Sequence, residues 1–412
     1  MIIKEISKIK KELCRNCGFC HKYLSCLDNP EECTGCGACV EACPGYARYL
    51  KSERVREKII TIIIDKKHYE FNEQITILKA LEKAGYTISH FHGEGHVHAP
   101  CRTGGCWSCA VLVDGELKPS CVTPIRNGMS IDTGIEAIEE HPPLRMVASF
   151  EPHTVGGVGT PHWVKKKSLY AATPRYTEIV AFTQGCILRC PSCQNWPYTY
   201  ASRGTPLTPE QTAKILESKR QAYHVERITL SGGECTLNNR WLIELLENLR
   251  KLCPPEVHLH IDTSTAMLTT DYIDQLVAAG MTDIGLDIKA ARLETFAKIS
   301  GLSSSDLTRR LLQQTWSSVE YLLEHYRDRI FIGIGIVYNN SLITIEEVQE
   351  IASRLLAIDP SVQVCLLDYR PEFRRLDLKK PSPGQMLDVW KLLKGMGLEY
   401  VTCQTSAGFF GP

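Results

Sequence analysis

Three cysteines between residues 186 and 193 are spaced so that their thiolates can hold one metal cluster. Cys186, Cys190 and Cys193 form a C-x3-C-x2-C pattern within residues 184–196. Thiolates are soft ligands that suit iron–sulfur clusters. Three of them can bind three irons of a 4Fe-4S cube and leave the fourth iron open, as a catalytic metal site requires. A zinc loop, or an electron-transfer cluster with a fourth ligand elsewhere, is the alternative interpretation.

A second motif lies in register with the cysteine loop. Gly232, Gly233 and Glu234 follow a predicted strand at 227–230, just as the cysteine loop follows a predicted strand at 178–183. Glycines allow a ligand to approach the backbone closely, and a carboxylate accepts hydrogen bonds from an ammonium group. The glycine–acid motif is weak evidence alone, but its place at the end of the next strand indicates a shared site.

The eight cysteines before residue 44 follow the spacing of bacterial-type ferredoxins. Residues 33–44 read C-x2-C-x2-C-x3-C-P, in which the fourth cysteine serves the other cluster, and residues 14–26 form a degenerate copy. We expect two ligand sets, one of Cys14, Cys17, Cys20 and Cys43, the other of Cys26, Cys33, Cys36 and Cys39. The gap between the halves is short for such a domain. One or two 4Fe-4S clusters are therefore expected, with zinc in the first half as a weaker alternative.

Residues 58–135 carry the cysteine spacing of a plant-type 2Fe-2S centre. The pattern is C-x4-C-x2-C-x11-C, formed by Cys101, Cys106, Cys109 and Cys121. Glycines between the ligands let the backbone wrap the cluster and point N–H groups at its sulfurs. The surrounding elements are predicted strands at 59–65, 67–71 and 110–113 and a helix at 77–84. This stretch resembles the β-grasp ferredoxin domains of succinate dehydrogenase and hydrogenase subunits.

Cysteine usage and charge restrict the cellular setting. Of the 19 cysteines, fifteen fall in these three clusters, and in a reducing cytoplasm such cysteines are metal ligands or catalysts rather than disulfides. Because oxygen destroys many exposed clusters, we expect an anaerobic host. Lys+Arg and Asp+Glu both number 47. The chain therefore lacks the basic excess that is usual for binding phosphate backbones, which disfavours a nucleic-acid substrate.

The sequence shows neither a membrane-spanning segment nor an export signal. No run of about 18 apolar residues is present, so no membrane span is expected. The Lys-rich residues 1–13 are predicted to form a short amphipathic helix, which lacks the apolar core and the small-residue cleavage site of a signal peptide. We therefore expect a cytoplasmic protein.

From residue 174 onward, predicted strands and helices alternate. The strands are predicted at 178–183, 227–230, 257–262, 283–287, 330–337 and 362–367. The helices are predicted at 209–221, 240–252, 270–279, 307–326, 345–356 and 383–396. This order predicts an α/β fold with a parallel sheet, open or barrel-like, whose functional residues lie at the carboxyl ends of the strands. The domains are predicted at 1–57, 58–135 and 174–412, with 136–173 as an extended linker.

On these motifs, residues 176 to about 405 resemble the radical S-adenosylmethionine (SAM) superfamily, and in particular the activases of glycyl radical enzymes. Residues 193–196, Cys-Gln-Asn-Trp, resemble the AmmeMemoRadiSam-type branch. The resemblance implies a partial (β/α)6 barrel in which the amino and carboxylate groups of SAM bind the open iron. Reduction then cleaves SAM to methionine and a 5′-deoxyadenosyl radical, which abstracts hydrogen. The implied cluster ligands are Cys186, Cys190 and Cys193, and the implied SAM contacts are Gly232, Gly233 and Glu234.

Further stretches match the same family. Residues 260–264 and 286–289 resemble its third- and fourth-strand motifs, where Asp262 and Asp287 would help bind a monovalent cation near the SAM carboxylate and Lys289 would lie near the site. The resemblance also makes Thr263 a candidate SAM contact, although capping of the following helix is the alternative. A strand containing Gly333 and Gly335 is expected to flank the adenine.

Four cysteines remain outside the three clusters. Cys235 directly follows the glycine–acid motif and is a candidate hydrogen donor or methyl carrier. The alternative for Cys235, favoured more strongly for Cys253, Cys365 and Cys403, is a small buried apolar residue.

We therefore expect SAM-dependent radical chemistry on a protein or small-molecule substrate, with a low-potential donor such as ferredoxin or flavodoxin. Generation of a glycyl radical on a partner enzyme is the favoured reaction. Radical modification of another protein, a small metabolite or RNA is one alternative, and an electron carrier without SAM chemistry is another. Family members usually carry extra clusters after the radical SAM motif or none. Here two ferredoxin-like modules precede the barrel, so we expect an intramolecular electron relay.

Overall fold

The N-terminal module is built on a two-stranded antiparallel sheet. The computed structural model describes residues 1–24, 32–155, 157–167 and 176–412, so Cys26 lies outside the described residues. Strand β1 (Ile2–Ile9) pairs with β2 (Arg48–Val55). Between them lie the cysteine loops and two single-turn helices, α1 (Phe19–Lys22) and α2 (Ala38–Glu41). The module thus presents its cysteines on short loops beside a small sheet.

The helix predicted for residues 1–13 is wrong, because most of this segment is strand β1. Its apolar residues satisfy helical spacing locally. The strand forms because its backbone pairs with β2, with Ile2 opposite Val55. That partner lies beyond all eight cysteines in the sequence, so local periodicity cannot reveal the pairing.

The second module is a five-stranded sheet packed on one helix. Its elements are β3 (Ile60–Ile64), β4 (Lys67–Phe71), α3 (Ile77–Lys83), β5 (Ile88–Ser89), β6 (Val97–His98), β7 (Ala110–Val113), β8 (Glu116–Pro119), β9 (Ser130–Asp132) and α4 (Ile135–Glu139). The sheet order is β4-β3-β9-β7-β8. Ile60, Ile62 and Ile64 alternate into the core against Ile77 and Leu81 of α3. The strands and the helix predicted around the cysteines are confirmed.

The third module is an α/β domain with a nine-stranded sheet within the described residues. Its strands are β10 (Val147–Val155), β11 (Tyr176–Thr183), β12 (Arg227–Gly232), β13 (His258–Thr263), β14 (Asp283–Ile288), β15 (Phe331–Tyr338), β16 (Gln363–Asp368), β17 (Tyr400–Thr405) and β18 (Gly408–Phe410). Strands β11 to β17 are parallel, and β10 and β18 are antiparallel at the two edges. The predicted α/β fold with a parallel sheet is confirmed.

Nine helices accompany this sheet in the described part of the chain. They are α5 (His162–Lys167), α6 (Trp196–Thr199), α7 (Pro209–Tyr223), α8 (Asn239–Leu252), α9 (Thr270–Ala278), α10 (Leu293–Ser300), α11 (Ser305–His325), α12 (Ile345–Ile358) and α13 (Pro383–Met396). Capping boxes at Thr208 and Ser382, each followed by a proline, start α7 and α13. No helix in the described ranges combines the length and apolar character that a bilayer crossing requires.

The segment expected to be a linker contributes to the third module. Strand β10 lies beside β11, with Phe150 opposite Ala181. The chain then enters the concave side of the sheet, where Arg227 donates a hydrogen bond to the Gly159 carbonyl and Gln363 donates one to the Thr160 carbonyl at 2.8 Å. Residues 168–173 lie outside the described residues.

Three strand glycines make room for this entering segment. A Cβ on Gly285 would lie 2.9 Å from the Gly159 nitrogen, and one on Gly335 would lie 2.7 Å from a Val158 methyl group. A Cβ on Gly333 would collide with the Val158 carbonyl. Because alternate strand residues share a face, these glycines lie on the same inner face as Asp287. The inner space beside Gly333 and Gly335, expected to flank an adenine, is filled by Val158.

We predict that Gly333→Ala destabilises the third module by about 1–3 kcal/mol, the usual cost of overpacking a tight interior. The added methyl group would displace Val158. The midpoint of denaturant unfolding, followed by tryptophan fluorescence, measures the change. Gly395→Ala is the matched control, because nothing lies within 4 Å of that position. Equal midpoints for Gly333→Ala and the wild type would contradict the packing of this segment inside the sheet.

Candidate active site

The three cysteines of the 186–193 loop line one cavity at the carboxyl ends of the parallel strands. Cys186, Cys190 and Cys193 follow β11, and the cavity that they share measures about 170 Å³. The loop is anchored by backbone hydrogen bonds from Gly185 to the Thr199 carbonyl at 2.9 Å and from Arg189 to the Ser300 carbonyl at 2.8 Å. The structure therefore brings the three predicted ligands together.

The environment of these thiols suits a metal cluster. Burial raises the pKa of Cys193 to about 12 and also raises the pKa of Cys186 and Cys190. A buried thiolate is unfavourable without a nearby positive charge. A metal ion supplies that charge, and a thiol that coordinates it loses its proton. Three thiols that converge on one cavity thus fit the open-iron 4Fe-4S cluster that the spacing predicts.

The two glycines of the second motif allow the two loops of the site to pack closely. Gly232 has φ +115°, and a Cβ there would collide with the Thr183 backbone. A Cβ on Gly233 would collide with the Gly185 carbonyl. Backbone hydrogen bonds from Gly233 to the Thr183 carbonyl and from Glu234 to the Gly185 carbonyl, both 2.8 Å, join the two loops. Both glycines line the cavity.

Glu234, for which the resemblance implies a SAM contact, lies behind the wall of the cavity. It is fully buried, and its carboxylate accepts hydrogen bonds from the hydroxyl groups of Thr236 at 2.8 Å, Thr263 at 2.7 Å and Ser264 at 2.5 Å. The cavity is lined by Thr263 and Ser264 but not by Glu234. The carboxylate thus orients the β13 end, and Thr263 lies between it and the cavity.

Two carboxylates and a lysine also line the cavity. Asp287 accepts a hydrogen bond from Lys289 at 2.8 Å through Oδ2, while its buried Oδ1 has no partner among the described residues. Asp262 accepts from Ser231 at 2.7 Å. Burial, and then the charge of Asp287, raises the pKa of Asp262 to about 7. Burial alone would lower the pKa of Lys289, but the charges of Asp287 and Cys190 raise it.

Cys235 lies outside the cavity. It is fully buried, and its thiol donates to the Asp262 carbonyl at 3.3 Å. Burial, and then the charge of Glu234, raises its pKa well above the ordinary value. In this position the residue packs behind the strand ends.

Arg145 is a site residue that no sequence motif predicts. Its fully buried guanidinium donates to the carbonyls of Glu234 at 2.6 Å, Cys235 at 2.7 Å and Gln184 at 3.3 Å. These carbonyls belong to both loops that form the cavity, so Arg145 fixes one loop relative to the other. It lies in the segment expected to be a linker, and neither a motif nor a periodicity marks it.

The four cysteines of the second module meet in its interior. Cys101, Cys106, Cys109 and Cys121 are between 0% and 4% exposed. The Thr103 amide donates to the Cys101 sulfur at 3.5 Å, and the thiols of Cys106 and Cys121 also lie within hydrogen-bonding reach of it. Buried sulfurs with amide donors fit the predicted 2Fe-2S centre.

Several sulfurs of the described N-terminal cysteines also accept hydrogen bonds. The amide of Ser7 donates to the Cys33 sulfur at 3.4 Å, and that of Ala47 donates to the Cys43 sulfur at 3.3 Å. Arg48 donates to the Cys20 sulfur at 3.4 Å. Burial lowers the pKa of Arg48, but this hydrogen bond and the charges of Cys20, Cys39 and Cys43 raise it overall. Members of both expected ligand sets therefore surround Arg48.

Comparisons with known families agree with this arrangement. The model of the radical SAM superfamily matches residues 180–352, which hold the cavity-forming loops. The chain carries a radical SAM domain. Ahead of it, a 2Fe-2S iron–sulfur cluster binding domain matches residues 57–135 and a 4Fe-4S binding domain matches residues 28–49. Together the matches reach all three cysteine clusters, but they leave out Cys14, Cys17, Cys20 and Cys26 of the first cluster.

Two curated relatives match parts of the chain. An uncharacterized iron–sulfur protein of Methanocaldococcus jannaschii is 32% identical over 131 residues, which are 30% of this chain and 25% of the relative. The pyruvate formate-lyase-activating enzyme of Clostridium pasteurianum is 36% identical over 88 residues, which are 21% of this chain and 35% of that enzyme. The chain thus spans about a third or less of either relative.

Among solved structures, SuiB of Streptococcus suis, bound to the precursor peptide SuiA, is 14% identical to this chain. The alignment covers 51% of this chain and 43% of SuiB, with a TM-score of 0.38. This likeness is too distant to assign an activity to the radical SAM domain described here.

The raised pKa of Asp262 gives a pH-dependent prediction. Below its unfolded pKa of 3.8 the carboxyl is protonated in both states, whereas up to about 7 only the folded protein keeps the proton. The folded state is therefore increasingly destabilised as pH rises through this window, and the cost is complete above it. Asp262→Asn should raise the thermal unfolding midpoint of the SAM-free protein more at pH 8 than at pH 5.

Asp306→Asn is the control for this comparison, because the Asp306 side chain is 93% exposed. Its effect should be the same at both pH values. Equal gains at pH 5 and pH 8 for Asp262→Asn would contradict the raised pKa.

Proposed function

We propose that the protein is a radical SAM enzyme that binds SAM in the cavity of the 186–193 loop. One observation carries the proposal: three half-buried cysteines share that cavity with the Gly232–Gly233 backbone and with the Asp262 and Asp287 carboxylates. When bound, a 4Fe-4S cluster with an open iron supplies one electron that cleaves SAM into methionine and a 5′-deoxyadenosyl radical. An electron carrier needs no such polar cavity beside its cluster.

The cavity walls match the polar ends of SAM. The carboxylates of Asp262 and Asp287 can accept hydrogen bonds from an ammonium group, while Lys289 can donate to a carboxylate. The backbone at Gly232 and Gly233 is bare of side chains, so a ligand can lie directly against it. Glu234 would act through Thr263 and Ser264, which it orients.

We further propose that the reaction generates a glycyl radical on a partner enzyme. The support is the 36% identity over 88 residues to a pyruvate formate-lyase-activating enzyme. A protein substrate must reach the cavity from the carboxyl ends of the strands, because Val158 and Gly159 fill the inner side of the sheet below it.

Production of 5′-deoxyadenosine tests the proposed chemistry. Anaerobic reconstituted protein, reduced with dithionite in the presence of SAM, should form 5′-deoxyadenosine, measured by chromatography. Cys190→Ala should lose this activity because the cluster loses one of its three ligands. Cys253→Ser, a buried cysteine outside the cavity, should retain it. Wild-type formation no higher than that of Cys190→Ala would leave the electron carrier as the function.

We also propose that the N-terminal modules relay the electron from a reduced ferredoxin or flavodoxin. Cys36 and Cys121 line one crevice of about 380 Å³ between the first two modules. On the other side of the second module, a Cβ on Gly185 would lie 3.2 Å from the Cys101 sulfur. Each module therefore contacts the next through its cysteine loops.

The relay predicts that replacing both Cys101 and Cys106 with serine slows SAM cleavage driven by reduced flavodoxin. The rate driven by dithionite should fall much less, because a small reductant can reach the site without the relay. Both rates are measured as 5′-deoxyadenosine per minute, with iron content determined in parallel. An unchanged flavodoxin-driven rate in the double variant would exclude the relay.

A further inference from the structure

Arg189 lies where all three modules meet. It stands between Cys186 and Cys190 in the cluster loop. Its Nη1 donates to the Cys186 carbonyl at 2.6 Å, and its Nη2 donates to the Cys101 carbonyl of the second module at 2.6 Å. Its Nε lies 3.5 Å from the carboxylate of Glu41 in helix α2 of the first module. One guanidinium group thus contacts a cysteine-bearing segment of each module.

The surroundings of Arg189 favour a fixed geometry. Its side chain is only 18% exposed, and Nη1 also donates to the Leu188 carbonyl at 3.0 Å. A guanidinium is planar, always charged and has five donors in a rigid fork, so it can bind carbonyls of two loops at once. An ammonium group on a flexible stem cannot reproduce that geometry.

The second module touches the cluster loop through glycines next to these hydrogen bonds. A Cβ on Gly105 would lie 2.7 Å from the Gly185 nitrogen, and one on Gly185 would lie 2.9 Å from the Cys106 nitrogen. The two backbones therefore approach as closely as their atoms allow. The hydrogen bond from Arg189 to Cys101 closes this contact on one side.

The first module is held at the same junction by a second arginine. Arg374 donates to the carbonyls of Val40 at 2.6 Å and Cys43 at 3.0 Å. These bonds fix the end of helix α2. Glu41 is thereby placed beside Arg189, with opposite charges facing each other.

We propose that Arg189 is a positioning residue that fixes the two N-terminal iron–sulfur modules against the radical SAM cluster loop. The inference rests on the proposed relay, to which it adds the residue that sets the spacing between modules. The carbonyls of Cys101 and Cys186 accept hydrogen bonds from the same guanidinium group. The cysteine loop of the second module is therefore joined directly to the radical SAM cluster loop. Electron transfer falls steeply with distance, and a loosened junction therefore slows it.

Replacement of Arg189 by Gln or Lys tests the proposal with two readouts. Hydrogen exchange of the amides in residues 101–109 and 184–190, followed by mass spectrometry, should be faster in both variants. Flavodoxin-driven formation of 5′-deoxyadenosine should fall by roughly tenfold or more, since small misplacements of reacting groups cost large factors in rate. The dithionite-driven rate should fall by a smaller factor than the flavodoxin-driven rate, because a small reductant reaches the cluster loop without passing through the junction.

Arg309→Gln is the matched control, because the Arg309 side chain is 59% exposed on helix α11. It should alter neither readout. Wild-type exchange and wild-type rates in Arg189→Gln would overturn the proposal. A wild-type protein that forms no 5′-deoxyadenosine with either reductant would instead refute the proposed function, while the exchange measurement would still test the role of Arg189 in the junction.

Gly105→Ala covers the case in which Arg189→Gln loses its iron. This variant keeps every cysteine and Arg189, and adds one methyl group between the two loops. It should reproduce both the faster exchange and a larger fall in the flavodoxin-driven rate than in the dithionite-driven rate, whereas Gly395→Ala should do neither. Gly105→Ala with wild-type exchange and an unchanged flavodoxin-driven rate would overturn the proposal.

Discussion

The backbone at Gly185 is pressed between two other glycines, and the rest of the site depends on this contact. Gly233 lies against its carbonyl on one side and Gly105 against its nitrogen on the other. Gly185 itself has φ +84°, a conformation that side chains disfavour. Both the motif loop and the second module thus take their position from one short stretch that precedes the first cluster ligand.

Buried charged side chains fix the arrangement of the loops around the cavity. Arg145 donates to three carbonyls and to the Thr183 hydroxyl group, and the Asp287–Lys289 pair lines the cavity. Leaving buried polar groups unpaired is costly, so each of these side chains specifies a single arrangement of the loops around it. Two atoms are exceptions, because Nε of Arg145 and Oδ1 of Asp287 have no partner among the described residues.

Much of the fold could be predicted, because the elements of the α/β domain carry their own signals. Helices such as α13 begin at capping boxes and follow apolar periodicity, and the parallel strands are short apolar runs. Strand β1 could not be recognised, since its pairing with β2 is long-range. The converging cysteines were predicted from spacing alone. Arg145 and the burial of Glu234 were not, because only the folded chain brings their partners together.

The segment that passes from β10 onto the inner face of the sheet extends the third module toward the N-terminus. Arg145 and Val158 belong to the interior of the radical SAM domain, although both precede the matched residues 180–352. A recombination joint placed between them and β11 would leave three strand glycines facing a void and the Arg145 carbonyl partners unpaired. The third module therefore cannot be exchanged as a cassette at that joint, because the segment from Arg145 to Val158 must be transferred with it.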